Sequence, residues 1–143
     1  VRELGAESVV DYAESDWTEQ ARDATEGIGV DVVLDGAGGA LGRAAFDLTA
    51  PGGRFITYGA SSGEFAAVNP RLAQQHTVRV TGLFDLRQLM QADRNELTRR
   101  TLAEASAGRL EPVIGQTFDL DHAADAHAAI AARTVIGKTL LTI

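Results

Sequence analysis

Two β-branched runs in this chain each end directly in a cluster of glycines, and that pairing limits the fold more than any other feature. Val30 to Leu34 (VDVVL) leads into Asp35-Gly36-Ala37-Gly38-Gly39, and Arg54 to Tyr58 (RFITY) leads into Gly59-Ala60-Ser61-Ser62-Gly63. A short, mostly apolar run with no helical period reads as a strand buried on both faces, as in a parallel sheet. The segment between them, from about Ala40 to Thr49, reads as the crossover helix that a parallel pair requires. The expected class is α/β, with a parallel sheet.

The same alternation continues on both sides. Val1 to Leu4 reads as a helix tail closed by Gly5, and Ser8 to Tyr12 (SVVDY) as a strand. Asp16 followed by Glu19 resembles a capping box, and Trp17, Ala21 and Ala24 recur at helical spacing, so a helix is expected over 16–25, ended by Gly27 and Gly29. Pro51-Gly52-Gly53 predicts a turn before the Arg54 strand. Thr77 to Phe84 (TVRVTGLF) alternates as a strand does. The stretch 85–107 reads as one long helix with an apolar stripe of Leu86, Leu89, Met90, Leu97 and Ala105, stopped by Gly108. An extended segment from Leu110 to Leu120, an Ala-rich helix capped by Asp121 and running to about Arg133, and a strand from Lys138 to Ile143 complete the chain.

Composition narrows the function classes. With 13 Lys and Arg against 20 Asp and Glu, the formal charge of -7 repels nucleic acid and anionic membranes, so neither is an expected partner. No stretch approaches the roughly 18 apolar residues that span a bilayer, and a cytoplasmic location is expected. The absence of cysteine removes disulfides, thiolate nucleophiles and any Cys-containing zinc site. His76, His122 and His127 are the only histidines. The latter two, five apart on a helix, point about 140° from each other and cannot chelate one metal. Ser61 and Ser62 lack the strand-turn-helix setting of a nucleophile elbow. No catalytic residue and no metal site is expected in this chain.

The glycines carry the functional reading. Ligands of open parallel sheets sit at the carboxyl ends of strands, where a missing side chain lets the backbone approach them. Three strand ends qualify, the third being Gly82 before Leu83 and Phe84, and together they suggest one crevice. Tight turns alone are the competing account of any single one. GAGGALG comes close to the dinucleotide fingerprint, but its spacing is off by one residue and the next strand ends in Tyr58-Gly59-Ala60 with no acid for the ribose. It is therefore read as a later strand end bordering the cofactor, not as the pyrophosphate loop.

Taken in order, LGAESVVDY, VDVVLDGAGG, GGRFITYGASSG, VTGLF and the closing GRLEPVIGQTFDLDHAADAHAAIAARTVIGKTLLTI resemble the carboxyl-terminal half of medium-chain dehydrogenases/reductases, nearest the zinc-free quinone oxidoreductase branch. The resemblance runs from Leu4 to Ile143. It implies binding of NADP or NAD between a Rossmann domain and a catalytic domain, and hydride transfer with quinones, enones or alcohols. By position, Tyr12 would lie beside the adenosine ribose or its 2′-phosphate and Gly38 on the adenine side. Gly59, Ala60 and Ser61 would lie under the nicotinamide ribose, Leu83 and Phe84 would flank the nicotinamide, and Lys138 would be a late cofactor contact. A homodimer through the edge strand Thr77 to Phe84 is implied as well.

The resemblance also implies a partial, Rossmann-like doubly wound parallel sheet, followed by a C-terminal helix and strand. A Rossmann sheet is ordered 3-2-1-4-5-6, and the strands here correspond to the third through sixth, without the first βαβ unit. Removing the two central strands would leave backbone groups unpaired, each costing about 1 to 3 kcal/mol when buried. The expected division is a partial nucleotide-binding domain over 1–109 and a segment over 110–143 that returns to the catalytic domain. The chain, which starts with Val on a helix tail, is expected to be part of a larger enzyme and inactive alone. A non-catalytic remnant serving oligomerisation or nucleotide affinity is the alternative.

Overall fold

A computed structural model describes residues 1–143, except for the side chains of Leu89 and Ala92, which lie outside the description. The chain forms two compact units, Val1–Ala92 and Asp93–Ile143. The boundary expected at 109/110 falls inside the second. No helix among the described residues is long and apolar enough to cross a membrane.

The first unit is built on a parallel three-stranded sheet, β1 (Val30–Asp35), β2 (Thr49–Thr57) and β3 (Arg79–Thr81), in that spatial order. Helix α2 (Gly39–Asp47) crosses from β1 to β2, and α3 (Pro70–Gln75) precedes β3. The side chain of Asn69 accepts the Arg71 N–H at 2.9 Å with Pro70 at the first helical position, which fixes where α3 starts. Both helices serve one sheet face. Phe46 of α2 meets Phe55 of β2 edge-to-face at 5.5 Å between ring centres, and Ala73, Val78 and the flanks of Val33, Val68 and Leu72 close the core around them.

The opposite face departs from expectation. Val32 and Leu34 are exposed, Leu34 by 65%, so β1 is not buried on both faces. Within this unit the core helices cover one side only. The expected strand Ser8 to Tyr12 is absent as well: these residues take no ladder, and Val9 and Tyr12 are exposed. Extended backbone needs a neighbour to satisfy its N–H and C=O groups, and among the described residues of this unit the ladder contains only β1, β2 and β3.

Several boundaries shift for local reasons. Helix α1 (Trp17–Asp23) forms, but Asp16 makes no cap; its carboxyl accepts the Gln20 side chain at 2.9 Å, so the capping box is not realised. Pro51-Gly52-Gly53 is a bulge inside β2, where the pairing steps from Val30 with Thr49 to Val32 with Arg54. The strand expected over Thr77 to Phe84 is confined to Arg79–Thr81. Thr77 is left-handed (φ 56°), and Leu83 and Phe84 open helix α4 (Leu83–Ala92), whose Asp85 carboxyl accepts the Gly82 N–H at 3.2 Å. The long helix expected over 85–107 breaks at Asp93 into α4 and α5 (Arg94–Ser106). Leu89, placed in its stripe, lies outside the described side chains.

The second unit carries α5 and a βαβ arrangement in which β4 (Ile114–Asp119) and β5 (Lys138–Thr142) pair in parallel, with α6 (Ala123–Ala131) between them in sequence. Ala126 is its buried contact. Asp121 lies in a 3-10 turn, Leu120–His122, and makes no side-chain cap, contrary to expectation; His122 occupies the cap position.

Four helices end alike. After α1, α3, α5 and α6, paired backbone bonds of the Schellman type surround a left-handed residue, namely Glu26, Thr77, Gly108 and Arg133.

Candidate functional site

The carboxyl ends of β1 and β2 lie side by side because the strands are parallel and in register to Asp35 and Thr57. Their glycine-rich tips are joined by backbone hydrogen bonds. The N–H groups of Tyr58, Ser61 and Ser62 donate to the carbonyls of Asp35, Gly36 and Ala37 at 2.9, 3.1 and 2.9 Å, and the Gly39 N–H donates back to Glu64 at 3.0 Å. Four bonds in both directions make one shelf of two loops.

Glycine is required where the loops touch. Gly38 sits at φ 70°, ψ −162°, a region essentially closed to other residues, and a Cβ there would run into the carbonyl of Glu64. A Cβ on Gly36 would fall 2.7 Å from the hydroxyl of Tyr58, whose ring covers it. The sequence pattern points these glycines at ligand approach; their first duty is contact between the loops.

The structure brings Gly38, Gly59, Ala60 and Ser61 together on this shelf, with Ser61 exposed and Gly38 buried. Leu83 and Phe84 follow β3 at the same end of the same sheet, in the first turn of α4, with Phe84 76% exposed. Tyr12 is 54% exposed on irregular backbone, and no bond joins it to the shelf. Lys138 belongs to the second unit, where its N–H donates to the Val113 carbonyl at 2.7 Å and its side chain is exposed.

Asp35 is the residue that sequence reasoning misses. It is 4% exposed, and its Oδ1 accepts the N–H groups of Ala37 (3.1 Å) and Gly38 (2.9 Å). The available signal is an acid closing an apolar strand just before a glycine loop, the setting of an Asx turn.

The donor chemistry of the shelf suits a dinucleotide's uncharged portions. The N–H groups of Ala37, Gly38 and Gly39 are engaged within the protein, and Asp35 stands near the start of α2, so a phosphate finds neither free amides nor a favourable field there. The exposed Ser61, Ser62 and Tyr58 offer hydroxyls and an aromatic edge to ribose or nicotinamide. A zinc ion is not matched: among the described residues no group of three or more His, Cys, Asp or Glu side chains could hold a metal.

Comparisons with known proteins agree with this architecture. A family described as zinc-binding dehydrogenase matches residues 4–141. The chain is 31% identical over 142 residues to a phenolphthiocerol/phthiocerol polyketide synthase of Mycobacterium tuberculosis, covering 98% of this chain and 6% of that protein. It is 32% identical over 146 residues to the quinone oxidoreductase of Pseudomonas aeruginosa, covering 98% of this chain and 44% of that protein. A crystal structure of an NAD-dependent alcohol dehydrogenase superposes with a TM-score of 0.78 at 30% identity, over 99% of this chain and 39% of the other. The chain thus spans less than half the length of each.

Proposed function

This chain belongs to the zinc-binding dehydrogenase family of the medium-chain dehydrogenase/reductase superfamily, as its carboxyl-terminal cofactor-binding region, and from that premise we propose that it forms part of an NAD(P)H-dependent oxidoreductase acting on a quinone, enone or related carbonyl compound. The observation that carries this reading is the hydrogen-bonded shelf at the carboxyl ends of adjacent parallel strands, where open sheets bind their ligands.

In this reading Gly59, Ala60 and Ser61 lie under the nicotinamide ribose, Gly38 borders the adenine side, and Leu83 and Phe84 flank the nicotinamide ring. Tyr12 and Lys138 complete the set of contacts, and Tyr12 favours NADP over NAD. A bound dihydronicotinamide supplies the hydride. The residues of this chain orient it and provide no acid or base. Residues 110–143 return to the catalytic domain, and the edge of β3 pairs with that of a second copy to give a homodimer. Only Arg79–Thr81 forms ladder, and Val78 is turned into the core, so the interface is shorter than the Thr77 to Phe84 edge expected from sequence.

Fluorescence titration of the natural, full chain with NADPH and with NADH, followed by quinone turnover monitored at the coenzyme absorbance, tests the reading. Saturable binding with turnover supports it. Binding without turnover on any quinone or enone favours the non-catalytic nucleotide module, and no saturation up to millimolar coenzyme overturns both. Sedimentation as a monomer at micromolar concentration would remove the dimer.

A further inference from the structure

An internal acid with no role in hydride transfer sits directly beneath the shelf. Asp35 ends β1, and its Oδ1 accepts the Ala37 and Gly38 N–H groups, the two amides that shape the turn leading into α2. Its Oδ2 is buried and has no hydrogen-bond partner among the described residues. The space beside that oxygen is kept by two small residues: a Cβ on Gly42 would come within 2.7 Å of Oδ2 and 2.8 Å of the Ala66 methyl. Helix α2 has no acidic residue in its first turn and no side-chain cap, and the Asp35 carboxyl reaches the turn before it from the neighbouring strand.

A buried carboxyl oxygen without a partner is costly, and an apolar residue would fill the same space without that cost. What the apolar residue would not do is hold the turn. With Ala37 and Gly38 fixed by Asp35, the Gly39 N–H is aimed at Glu64, and the carbonyls of Gly36 and Ala37 are aimed at Ser61 and Ser62.

We propose that Asp35 is a positioning residue for the coenzyme: its carboxyl sets the Gly36–Gly39 turn so that this turn and the Gly59–Glu64 loop meet the ligand as one preorganised surface. The inference rests on the nucleotide-binding reading above. Asp35 touches no reacting atom and acts through the backbone of Gly38 and, across the shelf, of Gly59 to Ser61. At Gly42 the carboxyl and the Ala66 methyl together occupy the place a side chain would take.

Two measurements on the natural, full chain test this. In the ligand-free protein, amide exchange at Ala37 and Gly38 should accelerate about tenfold or more in Asp35→Ala and remain near the wild-type rate in Asp35→Asn, which keeps the accepting oxygen. NADPH titration should follow the same order, with Kd raised about tenfold by alanine and restored by asparagine. In turnover the loss should fall on the KM for coenzyme, with kcat nearly unchanged. Exchange and affinity in Asp35→Ala equal to wild type overturn the proposal. So does an asparagine variant as impaired as alanine, because the carboxyl would then act by charge or simple packing. If the alanine variant fails to fold, Gly42→Ala decides: crowding Oδ2 should speed exchange at Gly38 and weaken NADPH binding, and an unchanged Gly38 amide overturns the idea. If wild type binds no coenzyme, the nucleotide reading fails by itself, and the positioning of the coenzyme falls with it; the exchange data still report whether Asp35 holds the turn.

Discussion

The Gly39 N–H donates to the carbonyl of Glu64 at 3.0 Å, so the first turn of α2 is capped by the backbone of a loop that follows a different strand. A helix whose start depends on a remote loop transmits disturbance between the two. Gly38, immediately before it, is where that coupling is most exposed.

Replacing Gly38 by alanine combines an unfavourable backbone region with a collision against the Glu64 carbonyl. The expected loss is roughly 3 kcal/mol of unfolding free energy, read from urea denaturation, together with weaker NADPH binding. An equal loss of stability with intact coenzyme affinity would separate the turn from the ligand.

Phe55 is the one large side chain of the described residues that is fully buried, and Phe46 is its edge-to-face partner at 5.5 Å. Phe55→Ala should cost about 3 to 5 kcal/mol. In a double-mutant cycle with Phe46→Ala, a coupling of about 0.5 to 1.5 kcal/mol is expected from the ring pair.

Phe84 is the opposite case. It is 76% exposed at the start of α4, so Phe84→Ala should change stability by less than about 0.5 kcal/mol. If the ring flanks the nicotinamide, the KM for coenzyme or quinone rises all the same, and steady-state kinetics at fixed quinone will show it.

In the second unit the Arg109 guanidinium holds the Glu104 carboxyl below the usual glutamate range, with Arg100 assisting. A lowered folded-state value means that the pair's contribution is present above the unfolded glutamate pKa and is lost as pH falls through the lower folded one. Both groups are exposed, so the effect on stability is small and screened by salt. Carbon-detected NMR titration should show a depressed midpoint for Glu104 that returns to the ordinary range in Arg109→Gln.

Sequence reasoning captures what depends on local pattern. The runs at Val30 and Arg54 form β1 and β2 because β-branched residues followed by glycine carry their own stop signals, and the convergence of the tips at Gly38 and Gly59 to Ser61 follows from parallel pairing. It errs where an element needs a neighbour. Ser8 to Tyr12 has the composition of a strand, but composition supplies no partner for its amides. The carboxyl end of β3 turns on a single side chain, Asp85 holding the Gly82 amide, a competition with the strand that does not show in periodicity. The role of Asp35 is hidden for a related reason: an acid at a strand end looks like solvent-facing charge until its burial is known.

The helix ends hold an unexploited reserve. Of the four left-handed positions that close α1, α3, α5 and α6, glycine fills only Gly108, while Thr77, Glu26 and Arg133 sit where a Cβ is unwelcome, Thr77 most of all because it is β-branched. Thr77→Gly should raise the melting temperature by an amount worth roughly 1 kcal/mol, and because the three sites are separate in sequence and share no bond, the triple glycine variant should approach the sum. Natural selection has left this protein short of its own thermal ceiling, and a hardier version could be made without altering a single residue of the shelf.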